Sequence, residues 1–70
     1  MKRENFIKIM RDRGYHVEFV ADGIDLRDGF GWRAFVSDKT RLAMNTCSIE
    51  LPKVDYDLIS RYACTPLNKR

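Results

Sequence analysis

The sequence predicts one small α+β domain in which two helices pack on one face of a three- or four-stranded antiparallel meander (α-β-β-β-(β)-α). Two segments with helical apolar spacing stand near the two ends of the chain. The residues between them alternate apolar and polar side chains and are interrupted by glycine-containing turns. Seventy residues suffice for a single core, so we expect one domain over residues 1–70.

The first helix is predicted over residues 2–13, which are good helix formers without proline or glycine. Spacing of three and four residues relates Phe6, Ile9, Met10 and Arg13, with Ile7 beside them, as in an amphipathic helix. Gly14 follows a basic last turn, where glycine readily adopts the left-handed cap conformation. The helix is therefore expected to end at Arg13 or Gly14.

Three short strands are predicted next, over residues 15–21, 24–27 and 32–36. They are rich in β-branched and aromatic residues or alternate apolar with charged residues. The turn signals Asp22-Gly23 and Asp28-Gly29-Phe30-Gly31 separate them. This spacing is typical of an antiparallel meander.

The segment that follows is ambiguous. Residues 41–45 are predicted as a fourth strand, although Leu42, Ala43 and Met44 suit a helix equally well. Residues 46–53 are expected to form a loop whose apolar side chains, such as Ile49, turn back toward the core.

The second helix is predicted from near Tyr56 to about Cys64, with the carboxylate of Asp55 as its N-cap. Its apolar stripe consists of Leu58, Ile59, Tyr62 and Ala63. Pro66 disfavours helical geometry at the preceding residue, and Thr65-Pro66 has the form of a cap followed by an N1 proline. One more turn is therefore expected over residues 67–70.

The positive charge is spread over both ends of the chain. The net charge is +3, with five basic against two acidic residues over 1–14, four against six over 15–51, and four against two over 52–70. This modest surplus could attract an acidic partner or a phosphate backbone, but it lacks the concentrated patch typical of nucleic-acid binding.

The chain has no pattern that indicates catalysis. His16 is the single histidine and is expected at the surface. Asp22, Asp25 and Asp28 recur every three residues, which is not the spacing of a calcium loop. Gly29-Phe30-Gly31 lacks the Gly-Lys-Ser/Thr of a phosphate loop. We expect no enzymatic activity, no catalytic residue, no cofactor and no metal.

Cys47 and Cys64 are the only cysteines, whereas a secreted domain of this size usually carries about four to eight. Reduced thiols in a cytosol are the favoured interpretation, and the sequence leaves a single disulfide open. No apolar run is long enough for a membrane span, and the first residues lack the apolar core of a signal peptide. We expect a cytoplasmic protein without a membrane partner.

The best binding candidates are the cations of helix one together with cations and aromatic residues around the second turn: Lys2, Arg3, Lys8, Arg11, Arg27, Phe30, Trp32 and Arg33. Such a combination suits either an interface with a protein or stacking of bases beside phosphates. For Trp32 the alternative, which we favour in so small a domain, is a place in the core.

The order helix, three strands, helix also matches the double-stranded RNA-binding domain. Those domains use a lysine-rich start of the second helix to contact phosphates. Here Asp55 and Asp57 occupy that place and would repel them. Nucleic-acid binding is therefore kept as the alternative function.

The segment Ile59-Ser60-Arg61-Tyr62-Ala63-Cys64-Thr65-Pro66-Leu67-Asn68-Lys69-Arg70 carries a distinctive motif. It resembles the carboxyl terminus of small proteins of phages and prophages of Gram-positive bacteria, which close with Tyr-Ala-Ser-Thr-Pro-Leu-x-x-Arg; here Cys64 replaces the usual serine. The opening Met1-Lys2-Arg3-Glu4 and the step Gly14-Tyr15-x-Val17-Glu18 are similar to that family too. The resemblance implies a phage setting and no activity, cofactor or catalytic residue.

We therefore expect a non-catalytic phage or prophage accessory protein that binds a host or phage protein. A small nucleic-acid-binding protein that uses the basic face of helix one is the alternative. The edges of so small a sheet also leave room for pairing with a second copy of the chain.

Overall fold

The computed structural model describes residues 1–47 and 51–70, so the expectation for Ile49 lies outside the described residues. The elements are α1 (Arg3–Asp12), β1 (His16–Val20), β2 (Gly23–Asp28), β3 (Gly31–Ser37), β4 (Met44–Thr46), α2 (Lys53–Cys64) and a 3₁₀ helix (Leu67–Lys69). The strands form one antiparallel sheet in the order β1-β2-β3-β4. The α+β class and the predicted order of elements are confirmed.

The fourth predicted segment is a strand, but it begins later than expected. β4 starts at Met44, and Arg41 and Leu42 form a turn in which Leu42 has φ 71°. The Leu42 N–H donates to the Ala63 carbonyl oxygen (3.0 Å), which attaches this turn to the end of α2. The turn therefore takes the first half of the segment predicted as strand.

α1 ends at the predicted glycine cap. Gly14 has φ 96°, its N–H donates to the Arg11 carbonyl (3.0 Å), and the Tyr15 N–H donates to the Met10 carbonyl (3.1 Å). These two bonds are those of a Schellman motif, and glycine tolerates the left-handed conformation that the motif requires. The chain reverses there, so that β1 runs back along α1.

The core lies between the two helices and one face of the sheet. The fully buried side chains of the sheet face are Ile24, Leu26, Ala34 and Val36, and those of the helices are Phe6, Met10, Ile59, Tyr62 and Ala63. The rings of Phe6 and Tyr62 stack with centroids 4.2 Å apart, which joins α1 directly to α2. The predicted packing of both helices on one sheet face is confirmed.

The turn between β1 and β2 comes one residue earlier than predicted. Ala21 and Asp22 form the turn, and Gly23 pairs with Val20 as the first residue of β2. A Cβ on Gly23 would overlap the carbonyl oxygen of Val36. Glycine is therefore needed at this position for the close approach of β3, and not for the turn itself.

The start of α2 differs from the prediction. The helix begins at Lys53 with Pro52 at the N-cap, so Asp55 lies within its first turn. The side chain of Asp55 is buried, forms an ion pair with Arg13 and accepts a hydrogen bond from the Tyr15 hydroxyl (2.5 Å). The prediction of Asp55 as an N-cap was wrong, because this carboxylate is buried where a guanidinium and a phenol stabilise it.

Arg70 holds the end of the chain against α2 and β3. Its guanidinium donates to the carbonyl oxygens of Ser37, Ala63 and Thr65, and lies 4.6 Å from the centroid of the Tyr62 ring. Only 4% of its side chain is exposed. The last carbonyls of a helix have no partner within the helix. Arg70 donates hydrogen bonds to two of the carbonyls at the end of α2, those of Ala63 and Thr65.

The extra turn predicted after α2 is present, but Thr65 is not its cap as predicted. Pro66 occupies the N-cap of the 3₁₀ helix, which has no side-chain cap. The Thr65 hydroxyl instead donates to the Arg61 carbonyl (3.0 Å) and accepts from the amino group of Met1 (2.9 Å). The two ends of the described chain are thereby joined.

The substitution Tyr15→Phe tests the buried carboxylate. We expect it to lower the free energy of unfolding at pH 7 by about 1–3 kcal/mol, because Asp55 loses one of its two donors. Urea denaturation measures the change. The control is Tyr56→Phe on exposed helix surface, which should change the free energy by less than about 0.5 kcal/mol.

The wild type and Tyr15→Phe also give a prediction for the dependence of stability on pH. Burial and, after it, the hydrogen bond to Asp55 raise the pKa of Tyr15 above its ordinary value. The native state therefore keeps a proton that the unfolded chain loses above about pH 10. The stability that Tyr15 contributes is fully present below that pH and is lost as the pH rises toward its native pKa. The difference in unfolding free energy between wild type and Tyr15→Phe should shrink in this alkaline range; a constant difference would contradict the assignment.

Candidate binding surface

Asp28 holds the turn between β2 and β3 in a fixed conformation. Its carboxylate accepts the Phe30 N–H (2.8 Å) and Nε of Arg33 (2.7 Å). The bond from the Phe30 backbone, and then that from Arg33, lower the pKa of Asp28 below its usual range. Gly31 completes the turn with φ 125°, which side-chain-bearing residues rarely adopt. The tip of the hairpin is thus restrained on both sides.

Phe30 stands at this tip with 92% of its surface exposed, more than any other large apolar residue in the described part of the chain. The Arg33 guanidinium lies 5.7 Å from the centroid of its ring and also donates to Sγ of Cys47 (3.7 Å). Leaving a phenylalanine in water forgoes about 1.5–3 kcal/mol of burial. The Phe30 ring is therefore exposed to solvent, while Asp28 holds its backbone and the Arg33 guanidinium lies against the ring.

Trp32 lies on the sheet face opposite the helices, because β3 contains one extra residue. The pairing with β2 shifts by one position after Leu26, so that Trp32 pairs with Arg27 and Arg33 has no counterpart. Strict alternation would have turned the indole toward the core, and the bulge turns it outward. Its Nε1 donates to Oδ1 of Asp25 (3.2 Å). Trp32 is half-buried and is not a core residue, contrary to the interpretation favoured from the sequence.

Four of the candidate residues therefore come together around one hairpin. We call this set, Arg27, Phe30, Trp32 and Arg33, the hairpin surface. Its arginines are paired within the chain, since Arg27 donates to Glu18 (3.2 Å) and Arg33 to Asp28 (2.7 Å). The hairpin surface therefore offers aromatic rings rather than unpaired positive charge.

The other four candidates, Lys2, Arg3, Lys8 and Arg11, lie at or on α1, on the opposite side of the sheet from Trp32. Arg3 is already paired with Asp38 (3.0 Å) and lies 5.1 Å over the ring of Phe19. Lys8 and Arg11 border an open groove of about 440 Å³ between α1 and β1, together with Glu4, Ile7, Asp12 and Phe19. The structure does not bring the two groups of candidates into one site.

Two features were missed from the sequence. The buried carboxylate of Asp55 stands four residues before Ile59, on the same helix face as the apolar stripe, and that spacing was the available signal. The other is Phe19, which is 58% exposed in the groove beside α1. No sequence signal indicates that α1 leaves this end of β1 uncovered.

Over residues 1–47 and 51–70, no group of three or more His, Cys, Asp or Glu side chains is placed to hold a metal ion. The recurring Asp22, Asp25 and Asp28 each contact a different side chain. No helix in the same part of the chain is both long and apolar enough to cross a membrane.

Comparison with protein-family models, with curated proteins and with solved structures finds no match to this chain.

Two glycines of the turn give a matched test of its rigidity. Gly31→Ala should lower the free energy of unfolding by about 1–3 kcal/mol, because alanine is strained at φ 125° even though its Cβ would meet no atom. Gly29→Ala should change it by less than about 0.5 kcal/mol, because Gly29 is outside the left-handed region and also has open space. Equal effects of the two substitutions, measured by urea denaturation, would show that the turn is not restrained.

Proposed function

We propose that this protein is a non-catalytic binding module that contacts another protein through the hairpin surface. The observation that carries the proposal is the ring of Phe30, which is 92% exposed on a restrained turn. Aromatic and arginine side chains supply most of the binding energy in typical protein interfaces. The hairpin surface contains two of each.

Restraint of the turn favours binding over simple exposure. A side chain that is ordered only on binding costs about 0.5–1.5 kcal/mol, and a loop that must be ordered costs more. Asp28 already fixes the backbone of Phe30, and Arg33 already lies against its ring. Much of that ordering is therefore complete in the unbound protein. The free energy gained by burying Phe30 on binding is then offset by a smaller ordering cost, and the affinity is higher.

The charges support a protein partner more than a nucleic acid. Phosphate binding depends on cations that are free to replace counterions. Arg27 and Arg33 have carboxylate partners, and the exposed cations of α1 alternate with Glu4 and Asp12. The alternative of nucleic-acid binding through the basic face of α1 therefore has less support.

The cellular setting is part of the proposal and rests on other observations. The C-terminal motif resembles that of phage and prophage proteins of Gram-positive bacteria, so we infer an accessory role on a host or phage protein. Cys64 carries an exposed free thiol, which suits a reducing cytoplasm better than an oxidising compartment.

Affinity capture from a lysate of phage-infected Gram-positive bacteria tests the proposal, with the immobilised protein as bait. We expect one protein to be retained in stoichiometric amount, and Phe30→Ala to weaken its binding at least about tenfold. Val54→Ala removes another exposed apolar side chain, from α2, and should leave binding unchanged.

Two results would contradict the proposal. One is retention of the protein partner by Phe30→Ala with wild-type affinity. The other is capture of DNA or RNA with steep salt dependence, lost on Lys8→Ala with Arg11→Ala and unaffected at Phe30, which would establish the nucleic-acid alternative.

A further inference from the structure

β1 is an edge strand with outward backbone groups that have no partner among the described residues. Val20 and Gly23 flank a two-residue turn, so they form a hydrogen-bonded pair, and such pairs alternate along an antiparallel ladder. The N–H and C=O groups of Val17 and Phe19 therefore point away from β2. No hydrogen bond of residues 1–47 or 51–70 engages them.

The helix side of this edge is also uncovered. The groove between α1 and β1 has Ile7 and the exposed ring of Phe19 at its apolar centre. Glu4 borders it near the start of α1 and Arg11 near the end. An open strand edge beside an exposed apolar ring favours pairing with another strand, because the edge offers unpaired N–H and C=O groups.

We propose that β1 pairs with β1 of a second copy of the chain, antiparallel about a twofold axis, to form a homodimer with a continuous eight-stranded sheet. The groove is then filled by the second copy. Phe30, at the tip between β2 and β3, takes no part in this contact, so each dimer presents two of these exposed rings.

The outward groups of β1 restrict the register of the pairing. A twofold axis that uses them passes beside Val17, Glu18 or Phe19. An axis at Glu18 sets two carboxylates directly opposite each other, which is destabilising. An axis at Val17 sets His16 opposite Glu18 of the second copy and so avoids that like-charge contact.

The charges of α1 also favour the axis at Val17. At about 3.3 Å per strand residue, Val17 lies about 10 Å from Gly14, and at about 1.5 Å per helix residue Ile7 and Lys8 lie equally far back along α1. A twofold axis at that height places Glu4 of each copy against Arg11 of the other. The contact is isologous, so this ion pair occurs twice.

The competing axis at Phe19 lacks this complementarity. It lies about 16 Å from Gly14, level with Arg3 on α1. The amino ends of the two helices would then face each other, with Arg3 opposite Arg3 of the second copy at the axis. Of the three registers, the one at Val17 is therefore the one that avoids a like-charge contact at its axis.

Light scattering coupled to size-exclusion chromatography tests the proposal on the full chain at low salt, from micromolar to submillimolar concentration. We expect a mass twice that of the chain at the upper concentrations. Glu4→Arg and Arg11→Glu should each raise the dissociation constant about tenfold, because each creates two like-charge contacts. The double variant Glu4→Arg/Arg11→Glu exchanges the charges and should restore association.

Asp57→Arg is the matched control, since it reverses an exposed charge on α2 and should leave the dissociation constant unchanged. Circular dichroism confirms that each variant is folded. A monomer at every concentration, or a double variant no better than the single ones, would overturn the proposal. Phe30→Ala should dimerise normally, so failure of this proposal and failure of the proposed function are distinguishable.

Discussion

The extra residue in β3 determines which aromatic side chain the sheet presents outside its core. Helices cover only one face of the sheet, and the alternation of a regular strand would have put Trp32 on that face. With Arg33 inserted into the ladder, the indole points to the other face, beside Asp25. The last inward-facing residue of β3 before the bulge is Ala34, which pairs with Leu26 and is fully buried. One bulge thus connects the packing of the core to the composition of the hairpin surface.

Buried polar contacts join the helices to the sheet at two places. At one, Asp55 brings the first turn of α2 to Arg13 and Tyr15 in the connection from α1 to β1. At the other, Arg70 binds carbonyl oxygens from β3 and from the end of α2. Removing one partner of such a contact leaves a buried polar group unsatisfied, so these residues specify how the elements are arranged.

The C-terminal motif has a structural explanation in these contacts. The fully buried ring of Tyr62 stacks on Phe6, and the guanidinium of Arg70 also lies over it. Thr65 ties the Met1 amino group to the end of α2. The residues of this motif are therefore occupied in holding the fold together, and the proposed binding depends on residues elsewhere.

Local chemistry was predictable from the sequence, whereas pairing across the chain was not. The cap at Gly14 and the stripe of Ile59, Tyr62 and Ala63 depend on neighbours within a few residues, and both were predicted. The role of Asp55 depends on Arg13, which is 42 positions away, so the sequence indicated only the local alternative of a cap. The bulge at Arg33 likewise exists only in the pairing of β3 with β2, which is why the position of Trp32 was misjudged.

The sequence also could not show that the candidate cations form two separate groups, because that depends on contacts between distant parts of the chain. Their number and sequence positions were evident, but the sheet decides which of them share a surface. Those at α1 and those of the hairpin lie on opposite sides of it.

The central claim is that Phe30 is exposed on a turn that is already ordered in the free protein. Backbone ¹⁵N relaxation of the unbound protein tests it most directly, through the order parameters of Gly29, Phe30 and Gly31. The account predicts values of about 0.85, equal to those of the flanking strands. Values below about 0.6 at the tip would contradict it.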